Sequence, residues 1–420
     1  NIHSYLAKSS PFSLSLYVLV VISLFSNVLL TTTKTESILI IGAGVSGLSA
    51  AQTAMSLGYT NVVVLEAQNK VGGRLVSDSS LGFTVDLGAA WIHGINNNPV
   101  YEYVRDKKIN TALFDYEKVQ YKSETLSAEE LNNISSEIKS AQTDLGKFIE
   151  DRQTGNDEAL SKVVDAYLSG KSPYRTTVVK SLVASEFENE YASKTELMSK
   201  LYFDSSGKGD AGEDVLFPGG YEQLTNELAK GVDVKLNQKV KKVKKNGDTY
   251  EVETVKGDKF SAEYIVCTVP LGILKDGSIQ FKKENDKDEL LNNDLRNSIT
   301  KLGFGVLDKV IIEFENQFWD NTKNLIRVFN SNASAFGWSV NLKPLANKNV
   351  LVFLIPGEDK YYNLYDKTDQ KIGEDIVSFM KKLYPSSDIR MSKIKVTRWR
   401  TQEYTKGSYS SFSVGSSPQD

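Results

Sequence analysis

The spacing of apolar and polar positions divides the chain into stretches of different period. Ser37 to Ile41 reads as a strand and Val45 to Leu57 as a helix, with glycines between them. A second apolar strand, NVVVLEA, ends at Glu66. From about 116 to 212 the chain turns polar, as in SAEELNNISSEIKSAQTDLGKFIEDR, without glycine turns at strand spacing, which predicts helices. Strands return in VKLNQKVKKV, and Asn246-Gly247 then signals a hairpin turn. VIIEF, NVLVFLI and KIKVTRW predict a mixed sheet. In the first of these, Val310, Ile312 and Phe314 share one face, and Lys309, Ile311 and Glu313 the other. SEFENEY sets Glu186, Glu188 and Glu190 at alternate positions, which a strand would gather on one face. No internal repeat stands out.

At 420 residues the chain is too long for one ordinary core, so two or more domains are expected. The formal charge of -3 argues against a nucleic-acid partner. The basic run from Lys239 to Lys245 reads as a strand with a solvated lysine face. A single cysteine, Cys267, excludes an internal disulfide and a cysteine metal site. With only two histidines, no metal centre is expected.

Gly42, Gly44 and Gly47 follow the first strand with the spacing G-x-G-x-x-G. Such a turn lets backbone approach a pyrophosphate at a helix N-terminus, where free N–H groups favour negative charge. Glu66, about two dozen residues on, can accept hydrogen bonds from a ribose diol. This combination indicates a dinucleotide and leaves NAD and FAD both open. Beyond Glu66 come Gly72, Gly73 and Arg74, then Asp86, Gly88, Ala89, Trp91, Ile92, His93 and Gly94 in DLGAAWIHG. Paired glycines allow close passage of a large flat cofactor, and an arginine suits a pyrophosphate.

With these motifs the sequence resembles the flavin-containing amine oxidases, and within them the polyamine oxidases, from about residue 36 onward. The resemblance makes the dinucleotide FAD. It extends through LFPGGYEQLTNELAKG and VKLNQKVKKV, where it puts the backbone of Val240 against the adenine. In YIVCTVPLGIL it has Pro270 turn the chain near the flavin after a buried strand. TRWRTQEYTKGSYSSFSVG resembles a segment with Trp399 on the cofactor and Tyr409 stacked beside flavin and substrate. The implied fold is α/β, in a two-domain α+β arrangement. A Rossmann-like FAD-binding domain (35–115, 213–300 and the start of a further segment at 396–420) joins a discontinuous substrate domain. The latter combines helices (116–212) with a mixed sheet (301–395).

The implied activity is oxidation of polyamines, spermine and spermidine or acetylated forms, by hydride transfer to flavin, with O₂ reduced to H₂O₂. Lys309, by itself either a solvated or a functional lysine, is implied to stand near the flavin N5 through a bound water. Lysine suits that place because its ammonium orients water and shifts its pKa on burial. His93, a structural hydrogen bonder when read alone, is implied to contact the polyamine. Some plant-type relatives carry a carboxylate there, which leaves the cleavage side open. A polycation calls for negative field in its channel. Glu186 comes first for that role and Glu188 beside it, with a solvated acidic face as the plainer reading. Two alternatives stand: an amino-acid oxidase of the same fold, which needs an arginine for the substrate carboxylate, or an inactive flavoprotein scaffold or fragment.

Residues 12–30 carry no charge and are near the ~20 residues that span a bilayer, so residues 1–34 read as a secretory signal or a membrane anchor. Sequons at Asn133 and Asn332 are compatible with that route. After Tyr409 only SSFSVGSSPQD follows, where the resemblance implies a further strand and helix under the flavin. Residues 1–420 are therefore expected to be a fragment, flavin-poor and inactive when made alone.

Overall fold

A computed structural model describes residues 33–205, 211–330, 336–356 and 362–420. The apolar stretch at 12–30 and the sequon at Asn332 lie outside the described residues. Among the described residues, no helix is long and apolar enough to cross a membrane.

The first strand, Lys34–Ile41, lies inside a four-stranded parallel sheet between Tyr264–Cys267 and Tyr59–Leu65, with Asp233–Lys235 at the far edge. Alternation along this strand feeds two cores, as expected of a parallel sheet covered on both faces. Ile40 packs with Leu48 and Ala51 of helix Val45–Ser56, while Leu39 and Ile41 pack with Val240, Val243 and Val252 of a second sheet. The strand ahead of Pro270 is an edge rather than a buried strand. Its Tyr264 and Cys267 are exposed, because only one side of Tyr264–Cys267 has a neighbour. The basic run forms strand Val240–Asn246, paired antiparallel with Thr249–Thr254. Asn246 still pairs with Thr249, so the turn falls on Gly247 and Asp248, one residue later than the dipeptide suggests. Gly247 takes φ +61, which glycine adopts without a Cβ penalty.

The polar stretch gives helices Ile134–Glu150, Leu160–Leu168 and Pro173–Leu182, which share one apolar core. Strand Val119–Lys122 departs from the helical expectation, since it pairs parallel with Leu325–Val328 at the edge of a six-stranded sheet. That sheet runs Met391–Val396, Leu307–Phe314, Val350–Pro356, Trp338–Asn341, Leu325–Val328, Val119–Lys122. Val310, Ile312 and Phe314 pack beneath helix Asp369–Leu383 with Ile372 and Ile376. Ile311, on the opposite face, packs against Leu81, Phe83, Val85 and Ala90. Those residues follow the glycine-arginine motif, so one face of the sheet closes on the dinucleotide-binding half.

SEFENEY is helical rather than extended. Val183–Glu188 is one turn of π-helix and Asn189–Tyr191 continues it as α-helix. The three glutamates therefore diverge. Helix Pro173–Leu182 runs straight into this turn, and the apolar positions Val183, Phe187 and Tyr191 recur every four residues into the helical core.

Asp308 sits where sheet and cofactor half meet. It is fully buried and accepts hydrogen bonds from Tyr365 Oη at 2.6 Å, Thr397 Oγ1 at 2.9 Å and the Trp399 amide at 2.9 Å. Asp308→Ala would leave three buried donors without an acceptor, at about 1–3 kcal/mol each. We expect its thermal midpoint to fall by roughly 5–10 °C or more, and that of Asp308→Asn by less. Equal midpoints for wild type and Asp308→Ala in a calorimetric scan would show the cluster to be dispensable.

Candidate active site

A cavity of about 490 Å³ opens along the ends of the parallel strands and runs to the six-stranded sheet. Of the residues expected to hold the cofactor, Gly42, Gly44, Glu66, Gly73, Arg74, Gly88, Ala89, Trp91, Val240, Pro270, Trp399 and Tyr409 all line it. Gly47 does not. A Cβ there would lie 1.9 Å from Gly42 O, so its glycine serves the packing of helix on turn. Gly44 is different, for a Cβ on it would meet only Gly72 O at 3.9 Å, and its free side faces the cavity.

Glu66 is buried at the end of its strand, accepting from the Ala43 amide at 2.7 Å and the Gln68 amide at 2.8 Å. Each carboxylate oxygen keeps lone-pair capacity beyond its one backbone bond. Arg74 donates through Nη1 to Ser408 O at 2.7 Å, which fixes the Tyr409 segment on the glycine-arginine turn. Gly88 is needed for close approach: a Cβ would fall 1.8 Å from Arg74 O and 3.4 Å from the Trp399 ring.

Lys309 points into this wall from strand Leu307–Phe314. Its Nζ donates to Asp86 O at 2.8 Å and Gly88 O at 2.6 Å, and lies 5.7 Å from the Trp91 ring centre. Burial disfavours the ammonium and draws its pKa down to about 8, although the Asp86 carboxylate opposes the shift.

His93 also neighbours Trp91, the two rings stacked at 6.5 Å. Strand Asp214–Leu216 pairs with Trp91–Ile92 through Val215 and Ile92, and this register sets Asp214 beside His93. His93 Nδ1 is 2.7 Å from Asp214 Oδ2, and the Gly94 amide donates to Asp214 Oδ1 at 2.8 Å. Burial works against an imidazolium here, yet the Asp214 carboxylate, with Glu190, holds the His93 pKa above its ordinary value. Glu190 is the glutamate of SEFENEY that faces this group. Burial raises its pKa to about 7; His93 pulls it down, and Asp214 and Glu186 push it up. The charge of Glu190 also reaches Tyr409, whose hydroxyl pKa burial and this carboxylate raise.

The expected pair, Glu186 and Glu188, takes another position. Glu186 accepts from Gln142 Nε2 at 2.9 Å and pairs with Arg327 at 3.3 Å. Glu188 pairs with Lys194 at 2.7 Å. Neither lines the cavity, nor do Glu190 and Asp214, but these last two act on His93, which does. The helical rather than extended conformation is the reason, since it turns alternate residues to different sides. Asp214 carried no motif of its own; its one signal was an acidic residue directly before the apolar run VLF.

The wall also fits a polar occupant. Trp91, Gln238 and Thr405 line the cavity, and their Nε1, Oε1 and Oγ1 atoms are buried without a hydrogen-bond partner. Such groups cost about 1–3 kcal/mol each when unsatisfied. A glycine cradle at a helix N-terminus, an acid at the end of the second strand and unpaired polar atoms along the wall suit FAD.

Comparison with known proteins agrees with this geometry. The profile of the family described as flavin containing amine oxidoreductase matches residues 45–420. Polyamine oxidase 4 of Oryza sativa subsp. japonica is 28% identical, over 90% of this chain and 79% of its own length. Polyamine oxidase 2 of Arabidopsis thaliana is likewise 28% identical, over 91% and 79%. Among solved structures, a double mutant of putrescine oxidase superposes with a TM-score of 0.68 at 17% identity, covering 91% of this chain and 89% of that one. It shares the fold. With a nucleotide cradle, a buried lysine and a family profile over residues 45–420, this chain belongs to the flavin-containing amine oxidoreductases, and its cofactor is FAD.

Proposed function

We propose that the protein oxidises polyamines, spermine and spermidine or their acetylated forms, with O₂ as electron acceptor and H₂O₂ as product. The observation that carries this reading is the charge around His93, which lines the cavity and is bonded to Asp214 at 2.7 Å, with Glu190 close enough to act on it electrostatically. Carboxylates grouped around a cavity-lining side chain favour a cation beside it. Among the described residues lining the cavity, Arg74 is the one arginine, and it is bonded to Ser408 O. Arg327 is buried against Glu186. An amino-acid substrate would need such a guanidinium for its carboxylate, which weighs against the amino-acid oxidase reading. The similarity to plant polyamine oxidases supports the same reading.

FAD, when bound, supplies the hydride acceptor and the route of electrons to O₂. The protein's own part is placement and charge. Lys309 uses two of its three N–H groups on Asp86 O and Gly88 O, which leaves one for a water or substrate atom in the cavity. Asp214 holds His93 Nδ1, so the ring's orientation is set before substrate arrives. Glu190 and Asp214 take the distal ammonium, while Trp91 and Tyr409 give aromatic walls that favour cations and exclude water.

We also propose that the full-length protein enters the secretory pathway, on the uncharged run at 12–30. Asn133 is exposed at the start of helix Ile134–Glu150, open to a glycosyltransferase. Endoglycosidase treatment of the expressed protein should increase its gel mobility; unmodified cytosolic protein would count against this location.

A peroxide-coupled assay on the full-length flavoprotein tests the main reading. Turnover is expected with spermine, spermidine or their acetylated forms and not with amino acids. Lys309→Met should keep flavin absorbance while slowing turnover by roughly tenfold or more, the scale of one lost general acid–base or orienting group. Turnover confined to amino acids would overturn the substrate class.

The second test is pH dependence, read with a bis-quaternary ammonium inhibitor whose charge does not titrate. Below pH 7 Glu190 is protonated and the mouth loses a negative charge; above it the charge is restored. His93, raised above its ordinary pKa, adds to the same trend by losing its positive charge as pH rises. Affinity should therefore increase on going from pH 6 to 8, by about tenfold for one charge contact. Glu190→Gln should flatten most of that rise. An unchanged profile in Glu190→Gln would remove Glu190 from the substrate site.

A further inference from the structure

Lys309 and Trp399 both line the cavity, and their side chains end on the same stretch of backbone. Lys309 Nζ takes Asp86 O and Gly88 O, while Trp399 Nε1 donates to the carbonyl between them, Leu87 O, at 3.3 Å. At their roots the two residues are joined as well. Strand Leu307–Phe314 pairs with Met391–Val396 as far as Val310 and Val396. One step beyond, the Thr397 amide still donates to Lys309 O at 2.9 Å. The return bond is different, for the Lys309 amide donates to the Thr397 hydroxyl, at 2.8 Å. The chain leaves the ladder here, and a side chain completes the pair in place of a carbonyl.

A threonine hydroxyl has one proton, so it accepts from an amide only if that proton points elsewhere. Asp308 Oδ1 takes the proton at 2.9 Å, which turns a lone pair of Thr397 Oγ1 toward Lys309. The same carboxylate oxygen accepts the Trp399 amide at 2.9 Å and so fixes the turn into helix Trp399–Thr401. Asp308 Oδ2 is occupied by Tyr365 Oη at 2.6 Å, and the Tyr365 oxygen accepts the Arg400 amide at 3.1 Å. Asp308, Lys309, Thr397 and Trp399 are all buried, where a lost partner is not replaced by bulk water.

We propose that Asp308 and Thr397 are positioning residues for the reaction. One carboxylate and one hydroxyl fix the roots of Lys309 and Trp399, and with them the places of ammonium and indole in the cavity wall. Neither Asp308 nor Thr397 lines the cavity, so their effect passes through the two residues that do. The effect on turnover rests on the part proposed for Lys309. A cluster that only stabilised the fold would lower the thermal midpoint and leave the surroundings of the flavin as they are.

The test uses the full-length holoenzyme and two readouts: visible circular dichroism of the bound flavin, and its rate of reduction by spermine in stopped flow. Thr397→Val keeps the volume and removes the hydroxyl. It should alter the dichroism and slow reduction by roughly fivefold, the scale of one coupled contact. Thr397→Ser, which keeps the hydroxyl, should stay near wild type in both. Asp308→Asn should change both in the same direction, and it serves where Thr397→Val does not fold. Ile312→Val, a truncation on the opposite face of the same strand, should lower stability and leave both readouts unchanged. In a Lys309→Met background Thr397→Val should slow reduction further by less than about twofold, because its route to the reaction is gone. Unchanged dichroism in Thr397→Val and Asp308→Asn would overturn the positioning. Full additivity of Thr397→Val with Lys309→Met would overturn action through the lysine. If spermine fails to reduce the wild-type flavin, or Lys309→Met leaves the rate unchanged, the reading of the site falls and the dichroism alone decides the positioning.

Discussion

One buried ammonium ties the sheet of this protein to the wall of its cofactor cavity. Lys309 belongs to the six-stranded sheet, and its two acceptors, Asp86 O and Gly88 O, belong to the loop after the glycine-arginine turn. Taking an ammonium out of water costs several kcal/mol, so the position holds only with fixed acceptors around it. Those acceptors are fixed in turn. Gly88 is pressed between Arg74 O and the Trp399 ring, and Asp86 accepts from Ser77 Oγ at 2.6 Å and the Tyr221 amide at 2.9 Å. Arg74 ties the Tyr409 segment down from the other side. The cavity therefore draws one wall from both halves, and the lysine is part of it.

That wall was partly legible in the sequence. The glycine turn, Glu66 and the face of Lys309 follow from local periodicity, because a strand–turn–helix unit and a two-residue alternation are set by near neighbours. The acidic residues at the substrate end were less legible. Alternate glutamates suggest a strand, but Val183, Phe187 and Tyr191 form an apolar series that continues the preceding helix into the helical core. The burial of that series outweighs the extended preference, and the π turn then sends Glu186 and Glu188 into ion pairs and leaves Glu190 near His93. Asp214 depends on strand register between residues more than a hundred apart, which no local pattern encodes.

Charge is distributed unevenly along the site, and the order is fixed by contacts. Lys309 lies 5.7 Å from the Trp91 ring, Trp91 stacks on His93 at 6.5 Å, and His93 is 2.7 Å from Asp214. The ammonium therefore stands at the cofactor wall and the carboxylates around His93, with Trp91 next to both. On the proposed polyamine reading, a substrate with several amines would meet opposite fields at its two ends. Near Glu190 and Asp214 an amine would be stabilised as ammonium. Near Lys309 a second positive charge is disfavoured, so an amine there would give up its proton and keep its lone pair. Loss of a hydride equivalent from the adjacent carbon requires that neutral form, since only the lone pair can stabilise the developing cation. A gradient that would orient a polyamine would thus also prepare its reacting nitrogen, and a monoamine would receive the second effect without the first.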